Sequence, residues 1–143
     1  MEKINIFCFG FGQVAKNFIK KINTKNIEIN LSVTSRESSS KKVFNGINYD
    51  SFQFSQNSFD KTLIKSLESS SYILVSIAPV DGEDIVVKNF QNILNEKNVK
   101  WLTYLSATSV YGDHKGGWVD EKSKTNPTSS TGTQRLKAEK SWM

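Results

Sequence analysis

The sequence has little of the chemistry on which metal, disulfide and membrane proteins depend. Its 143 residues contain one cysteine and one histidine. A single cysteine excludes a disulfide framework, and Cys8 sits inside an apolar run, as a reduced, buried small hydrophobe does. A single histidine with no second His or Cys nearby leaves no metal site to build. His114 lies in a glycine-flanked polar loop and reads as a solvated side chain. No apolar run approaches the length of a membrane span. A basic leader, an apolar stretch and a small-residue cleavage site are missing from the first residues, so no secretion signal is read. A cytoplasmic location is the expectation. Concentrated positive charge is lacking too. The net charge is +5, but the lysines are spread along the chain, and their longest clusters are the pairs Lys20-Lys21 and Lys41-Lys42. That pattern is a solvated surface rather than a nucleic-acid face. A modest positive field still favours an anionic ligand.

What is present is a globular composition, 37% hydrophobic and 23% charged, in a chain long enough for one domain with a core. An apolar run over residues 4–9 meets Gly10. Gly12 and Ala15 follow. A helical pattern then begins, with Val14, Phe18 and Ile22 on one face and Ala15 and Ile19 beside them. Strand, glycine turn and helix in this order form the dinucleotide-binding fingerprint in its G-x-G-x-x-A form. Gly10 permits the turn off the strand. Gly12, having no side chain, lets a pyrophosphate approach the backbone, with Phe11, Gln13 and Val14 beside it. Ala15 lets the helix pack close to the strand. The first N–H groups of the helix and its dipole then favour an anion. The alternative is an ordinary strand–turn–helix corner with two convenient glycines.

Residues 27–33 alternate apolar and polar as a second strand, ending at Thr34-Ser35-Arg36. No acid ends this strand to hold a ribose 2′-OH. Arg36 between hydroxyl neighbours and Glu37 suits a 2′-phosphate instead, which favours NADP and leaves NAD as the second choice. The alternative for Arg36 is a solvent-exposed loop arginine. A short helix is expected near residues 40–44, a strand at 47–54, and a short amphipathic helix through Phe59, Leu63, Ile64 and Leu67. Residues 72–78 form the strongest apolar run, as a strand buried on both faces does, and Pro79 ends it. Asp81, Glu83 and Asp84 precede a helix bearing Ile85, Val86, Phe90, Ile93 and Leu94. Acids at a helix start complement its dipole, a commoner arrangement than a metal or acid–base site. Residues 99–105 make a fifth strand.

This alternation predicts an α/β fold, a doubly wound parallel sheet of about five strands with helices on both faces. Ligands of such sheets bind outside the carboxyl ends of the strands. The cofactor-binding candidates are therefore Gly10, Phe11, Gly12, Gln13, Val14, Thr34, Ser35, Arg36, Ala78, Pro79 and Ser106.

Beyond the fifth strand the chain reads Leu105-Ser106-Ala107-Thr108-Ser109-Val110-Tyr111-Gly112-Asp113. Then come Trp118-Val119-Asp120-Glu121, Pro127, and Gly132-x-x-Arg135-Leu136-x-Ala138-Glu139 in a helix expected from about residue 133. These residues resemble the extended and atypical short-chain dehydrogenase/reductases, the NAD-dependent epimerase/dehydratase group, which acts largely on nucleotide sugars. The resemblance runs from the glycine turn to the last helix, and Val-Tyr-Gly-Asp is its most specific part. It implies a dinucleotide-binding Rossmann domain over residues 1–143.

The resemblance also implies a Ser/Thr, a Tyr acting as general acid/base, and a Lys that lowers the pKa of the Tyr, the last two spaced Tyr-x-x-x-Lys. Here Thr131 stands at the Tyr position and Arg135 at the Lys position. Ala107 stands where the Ser/Thr is usual, with Thr108 next to it. An aliphatic hydroxyl hardly ionises near neutral pH, and an arginine stays charged. Tyr111 is a spare phenol nearby. The candidate catalytic residues are thus Thr108, Tyr111, Thr131 and Arg135. The glycine pattern and Gly-x-x-Arg match the atypical branch. The resemblance further implies a sixth strand and a substrate lobe, so the expectation is a cofactor domain cut short before both. The expected function is NAD(P) binding in an epimerase/dehydratase-like oxidoreductase with a small-molecule substrate. The alternative is a non-catalytic NADP-binding sensor or regulatory module. Nothing in the sequence fixes the oligomeric state.

Overall fold

The Phe7 and Phe9 side chains leave β1 (Ile4–Phe9) on one side, and Ile6 and Cys8 leave it on the other; all four are buried. A strand whose alternate residues are all apolar and all covered must lie at the centre of a sheet with packing on both faces. The computed structural model, which describes residues 3–97 and 99–143, places it there. The chain continues through α1 (Gln13–Asn23), β2 (Ile29–Ser35), β3 (Ser40–Phe44), β4 (Ile47–Gln53) and α2 (Leu63–Ser69). It goes on through β5 (Tyr72–Val75), α3 (Ile85–Glu96), β6 (Trp101–Tyr104) and α4 (Ser130–Trp142). The sheet order is β3-β4-β2-β1-β5-β6. Five strands run parallel, and β3 alone pairs antiparallel, with β4.

One face of the sheet packs Ile6, Cys8, Leu31, Val33 and Leu74 against Ala15 and Ile19 of α1. The other packs Phe7, Phe9, Ile73 and Val75 against Leu63 and Leu67 of α2 and Val86 and Phe90 of α3. Phe9 and Phe90 lie 5.4 Å apart by ring centroids. Removing a ring from such a core costs about 3–5 kcal/mol. The expected doubly wound parallel sheet, with helices on both faces, is the architecture found.

The edge departs from expectation. Residues 40–44 are strand β3 rather than a short helix. The reason is local: Asn45 (φ 51°) and Gly46 (φ 77°) form the turn between β3 and β4. Asn-Gly is the pair that favours a two-residue hairpin turn with both φ values positive. The passage from β2 to its parallel neighbour β4 therefore runs through a hairpin and not a crossover helix. Boundaries also move, two of them by three residues. β5 stops at Val75 rather than at residue 78, although the Ser76 N–H and hydroxyl still donate to the Phe9 carbonyl, at 2.9 and 3.1 Å. α4 starts at Ser130 rather than near 133, because the Ser129 hydroxyl accepts the Gly132 N–H at 3.1 Å and caps it.

Candidate functional site

The glycine turn contains two glycines with different reasons to be glycine. Gly10 has φ +86°, and a Cβ there would stand 2.8 Å from Ser76 Oγ and 3.2 Å from Ile77 Cγ1. Backbone conformation and crowding both exclude a side chain. The Gly10 N–H donates to Thr34 Oγ1 at 3.0 Å, so the fully buried Thr34 ties the turn to the end of β2. Gly12 is different. Its φ of −83° suits any residue, and nothing lies within 4 Å of where its Cβ would be. Folding does not require glycine at position 12, yet a side chain there would stand in front of the first amides of α1. Gly12 is the N-cap of α1, no side chain caps that helix, and no acid lies in its first turn. The opening thus fits an anion held by backbone N–H groups. Ala15 is fully buried against β1. Gln13 and Val14 are exposed.

The Phe11 ring fixes the turn from the side. It packs 5.4 Å from the Phe44 ring and 5.1 Å from the Tyr49 ring, both in the β3–β4 hairpin. The Lys16 ammonium lies 5.9 Å from its centroid.

A cleft of about 860 Å³ opens at the carboxyl ends of the parallel strands. Gly10 and Phe11 line it, as do Thr34, Ser35 and Arg36 from the end of β2 and Ala78 and Pro79 after β5. Gly12, Gln13, Val14 and Ser106 do not line it. The sequence reading missed Lys16, Lys42 and the segment Phe54-Ser55-Gln56, which also form its wall. Lys42 escaped notice because the hairpin that carries it was missed; Asn45-Gly46 was the available signal. Three cations (Lys16, Arg36 and Lys42) and one acid, Glu37, give this wall a positive balance. Glu37 is paired with Lys42 at 2.5 Å, and that hydrogen bond and charge hold its carboxyl below the usual carboxylate range. Arg36 is exposed and has no ion pair among the described residues.

The candidate catalytic residues gather elsewhere, around the end of β6 and the start of α4, and none lines the cleft. Thr108 opens a single 3₁₀ turn, Thr108–Val110, and is exposed. Gly112 (φ +73°) is pressed on the chain: a Cβ there would overlap the Asn126 carbonyl oxygen at 1.8 Å. A Cβ on Gly132 would stand 2.5 Å from the Ser109 oxygen. The Val-Tyr-Gly-Asp segment, Pro127 and Gly132 are therefore one packed corner, in which both glycines are required by close approach. Arg135 donates from Nη1 to the Leu105 carbonyl at 2.9 Å and to Tyr104 Oη at 3.3 Å. It anchors α4 to β6. Burial pushes the Tyr104 phenol above its ordinary pKa, partly opposed by Arg135. Thr131 is exposed, and its hydroxyl lies 3.2 Å from that of Ser129. Tyr111 is half-buried.

His114 departs from the solvated reading. Its Nε2 lies 3.0 Å from the Tyr111 carbonyl and 3.1 Å from that of Lys124, so it staples its loop. Asp84 closes the start of α3: its Oδ1 accepts the N–H groups of Val86 and Val87 at 2.9 and 3.0 Å. Among the described residues, no group of three His, Cys, Asp or Glu side chains is placed to hold a metal ion. No helix there is long and apolar enough to cross a membrane.

The sheet order and the glycine turn define a Rossmann-like doubly wound architecture, which solved structures share. No protein-family model and no curated protein matches the chain. A functionally unknown conserved protein from Silicibacter pomeroyi is 26% identical, with a TM-score of 0.73, over 96% of this chain and 47% of that one. A UDP-N-acetylglucosamine 4-epimerase from Bacillus cereus is 18% identical, with a TM-score of 0.70, over 97% and 49%. A dTDP-glucose 4,6-dehydratase from Bacillus anthracis, solved in complex with NAD, is 18% identical, with a TM-score of 0.70, over 96% and 48%. The chain has the fold of the NAD-dependent epimerase/dehydratase and short-chain dehydrogenase/reductase structures, and it spans about half the length of those it matches.

Proposed function

We propose that residues 1–143 form the cofactor-binding part of an epimerase/dehydratase-like oxidoreductase, with NADP preferred over NAD. The carrying observation is Gly12, a glycine that the fold does not need, standing before an uncapped helix start. In this reading the amides at the start of α1 hold the pyrophosphate and Arg36 holds the 2′-phosphate. Ile77 and Pro79 offer an apolar wall to a ring. The bound nicotinamide supplies hydride acceptor or donor chemistry. NAD bound in the solved dehydratase supports a dinucleotide; Arg36, exposed and without an ion pair among the described residues, supports the extra phosphate. The nucleotide-sugar substrate is proposed for the whole protein, with its binding site in a substrate portion outside these residues.

Titration of the protein with NADPH and NADH tests the reading. Arg36→Ala should weaken NADPH by about 1–3 kcal/mol more than NADH. Equal losses for both would remove the 2′-phosphate assignment, and binding of neither by the unaltered chain would remove the cofactor reading.

Arg135 favours a second reading, a non-catalytic NADP-binding module. The residue at the Lys position is committed to the Leu105 carbonyl, and the one at the Tyr position, Thr131, has no acidic hydroxyl. Hydride transfer measured on a longer form of the protein would decide for the enzyme.

A further inference from the structure

We propose that Lys42 is a second 2′-phosphate ligand, supplied by the β3–β4 hairpin and partnered by Glu37 until the phosphate displaces that carboxylate. This rests on the cofactor reading above and assigns to that site a residue from an element that does not belong to the glycine-turn fingerprint. The hairpin is locked to the glycine turn. Lys42 lies directly opposite Tyr49 in the ladder. Phe44, two residues further and so on the same strand face as Lys42, packs with Tyr49 around the Phe11 ring, at 5.4 and 5.1 Å. Whatever positions Phe11 also positions Lys42.

The ammonium of Lys42 is 2.5 Å from Glu37 Oε2, and Glu37 directly follows Arg36. Lys42 is the more enclosed partner, 37% exposed against 74% for Glu37. A phosphate that reaches Arg36 therefore meets a second cation already held at the cleft wall. The present partner of that cation is a carboxylate free to swing into water. A phosphate monoester carries more charge than a carboxylate and has three strong acceptor oxygens, so it competes well for the lysine. A ribose hydroxyl has no charge with which to break the pair. Lys42 thus discriminates between the two cofactors, while Glu37 raises the threshold for the one with a 2′-phosphate.

The test titrates the 143-residue chain with NADPH, NADH and 2′,5′-ADP, with circular dichroism to verify each variant's fold. Lys42→Met keeps the aliphatic stem and should weaken NADPH and 2′,5′-ADP about five- to tenfold, with NADH changed by less than about twofold. Lys42→Arg should restore the difference. Glu37→Gln should tighten NADPH about threefold. If Lys42→Met weakens both cofactors equally or neither, while Arg36→Ala still separates them, the Lys42 assignment falls and the cofactor reading stands. A Glu37→Gln variant that loses NADPH affinity overturns the displacement. An unaltered chain that binds neither cofactor overturns both.

Discussion

Two helices of this chain begin beside the same cleft after parallel strands, and they begin in opposite ways. α3 follows β5, and Asp84 occupies its first free amides with one carboxylate oxygen. The other oxygen, Oδ2, accepts the Trp142 indole N–H at 2.8 Å, so the cap also pins the end of α4. α1 follows β1 and has no side chain at its cap and no acid in its first turn. Both ends have the same backbone chemistry: unpaired N–H groups and the positive end of a dipole. One is satisfied from within the chain and serves the fold. The other is left for water or a ligand, and the residue that leaves it so is Gly12.

Exchanging the two caps is the strongest way to break this contrast. Gly12 already has an extended backbone, as N-cap residues do, so Gly12→Asp puts a carboxylate where Asp84 stands on α3. It should raise stability slightly, by a few tenths of a kcal/mol, as expected for glycine replaced at an N-cap. It should also weaken dinucleotide binding at least about 100-fold, because a fixed carboxylate would face the pyrophosphate. A titration of NADPH beside a urea melt reads both. Retained affinity would show that the open start of α1 is not the phosphate site.

The reverse change acts on the fold. Asp84→Ala removes two cap hydrogen bonds and leaves the Trp142 indole N–H without its partner. The expected loss is about 2–3 kcal/mol, of which about 1 comes from the cap and the rest from the orphaned donors. Asp84→Asn, which can still cap, should lose less than half of that. The urea midpoint measures it. Cofactor affinity of the folded protein should stay within about threefold, since these amides serve α3 and not the ligand. A stable Asp84→Ala protein with lost affinity would reverse the roles assigned to the two helices.

The open helix was more legible in the sequence than the hairpin beside it, and the reason is physical. Gly10, Gly12 and Ala15 are spaced by the turn itself, so short-range pattern is enough to find them. The same holds for Ile6 to Phe9, whose continuous apolar character can be satisfied only inside a two-sided sheet. Lys42 belongs to the cleft wall because a hairpin folds it beside Glu37. Its neighbours Lys41, Val43 and Phe44 have no clear period, and only Asn45-Gly46 fixes the turn. At the other end of the sheet, Gly112 and Gly132 stand out in sequence as motif residues. Their reasons, the Asn126 carbonyl and the Ser109 carbonyl, come from distant chain and cannot be read locally. Arg135 stands at the Lys position that the resemblance implies, and contacts from distant chain make it also an anchor between α4 and β6.

α2 has no side-chain cap either, but the turn leading into it has a milder acid contact that sharpens the comparison through pH. There Asp60 Oδ1 accepts the N–H and the hydroxyl of Thr62 at 2.9 and 2.6 Å, and Oδ2 accepts the Ser39 hydroxyl at 2.6 Å. The hydrogen bonds from Ser39 and Thr62 favour the ionised form and lower the pKa of Asp60 below its ordinary value. In the unfolded chain the group has its ordinary pKa. The folded state therefore gains stability that is complete above about pH 4. That gain is lost as the pH falls through the lower folded value. Because Asp60 is only half-buried, the effect is smaller than that of Asp84 and should be visible only as a shallower acid limb of the urea midpoint in Asp60→Asn. α1 has no such acid at its start, so Gly12→Ala should leave that limb unchanged. An acid limb altered by Gly12→Ala and indifferent to Asp60→Asn would mean that the limb does not report the carboxylate that ties the turn before α2.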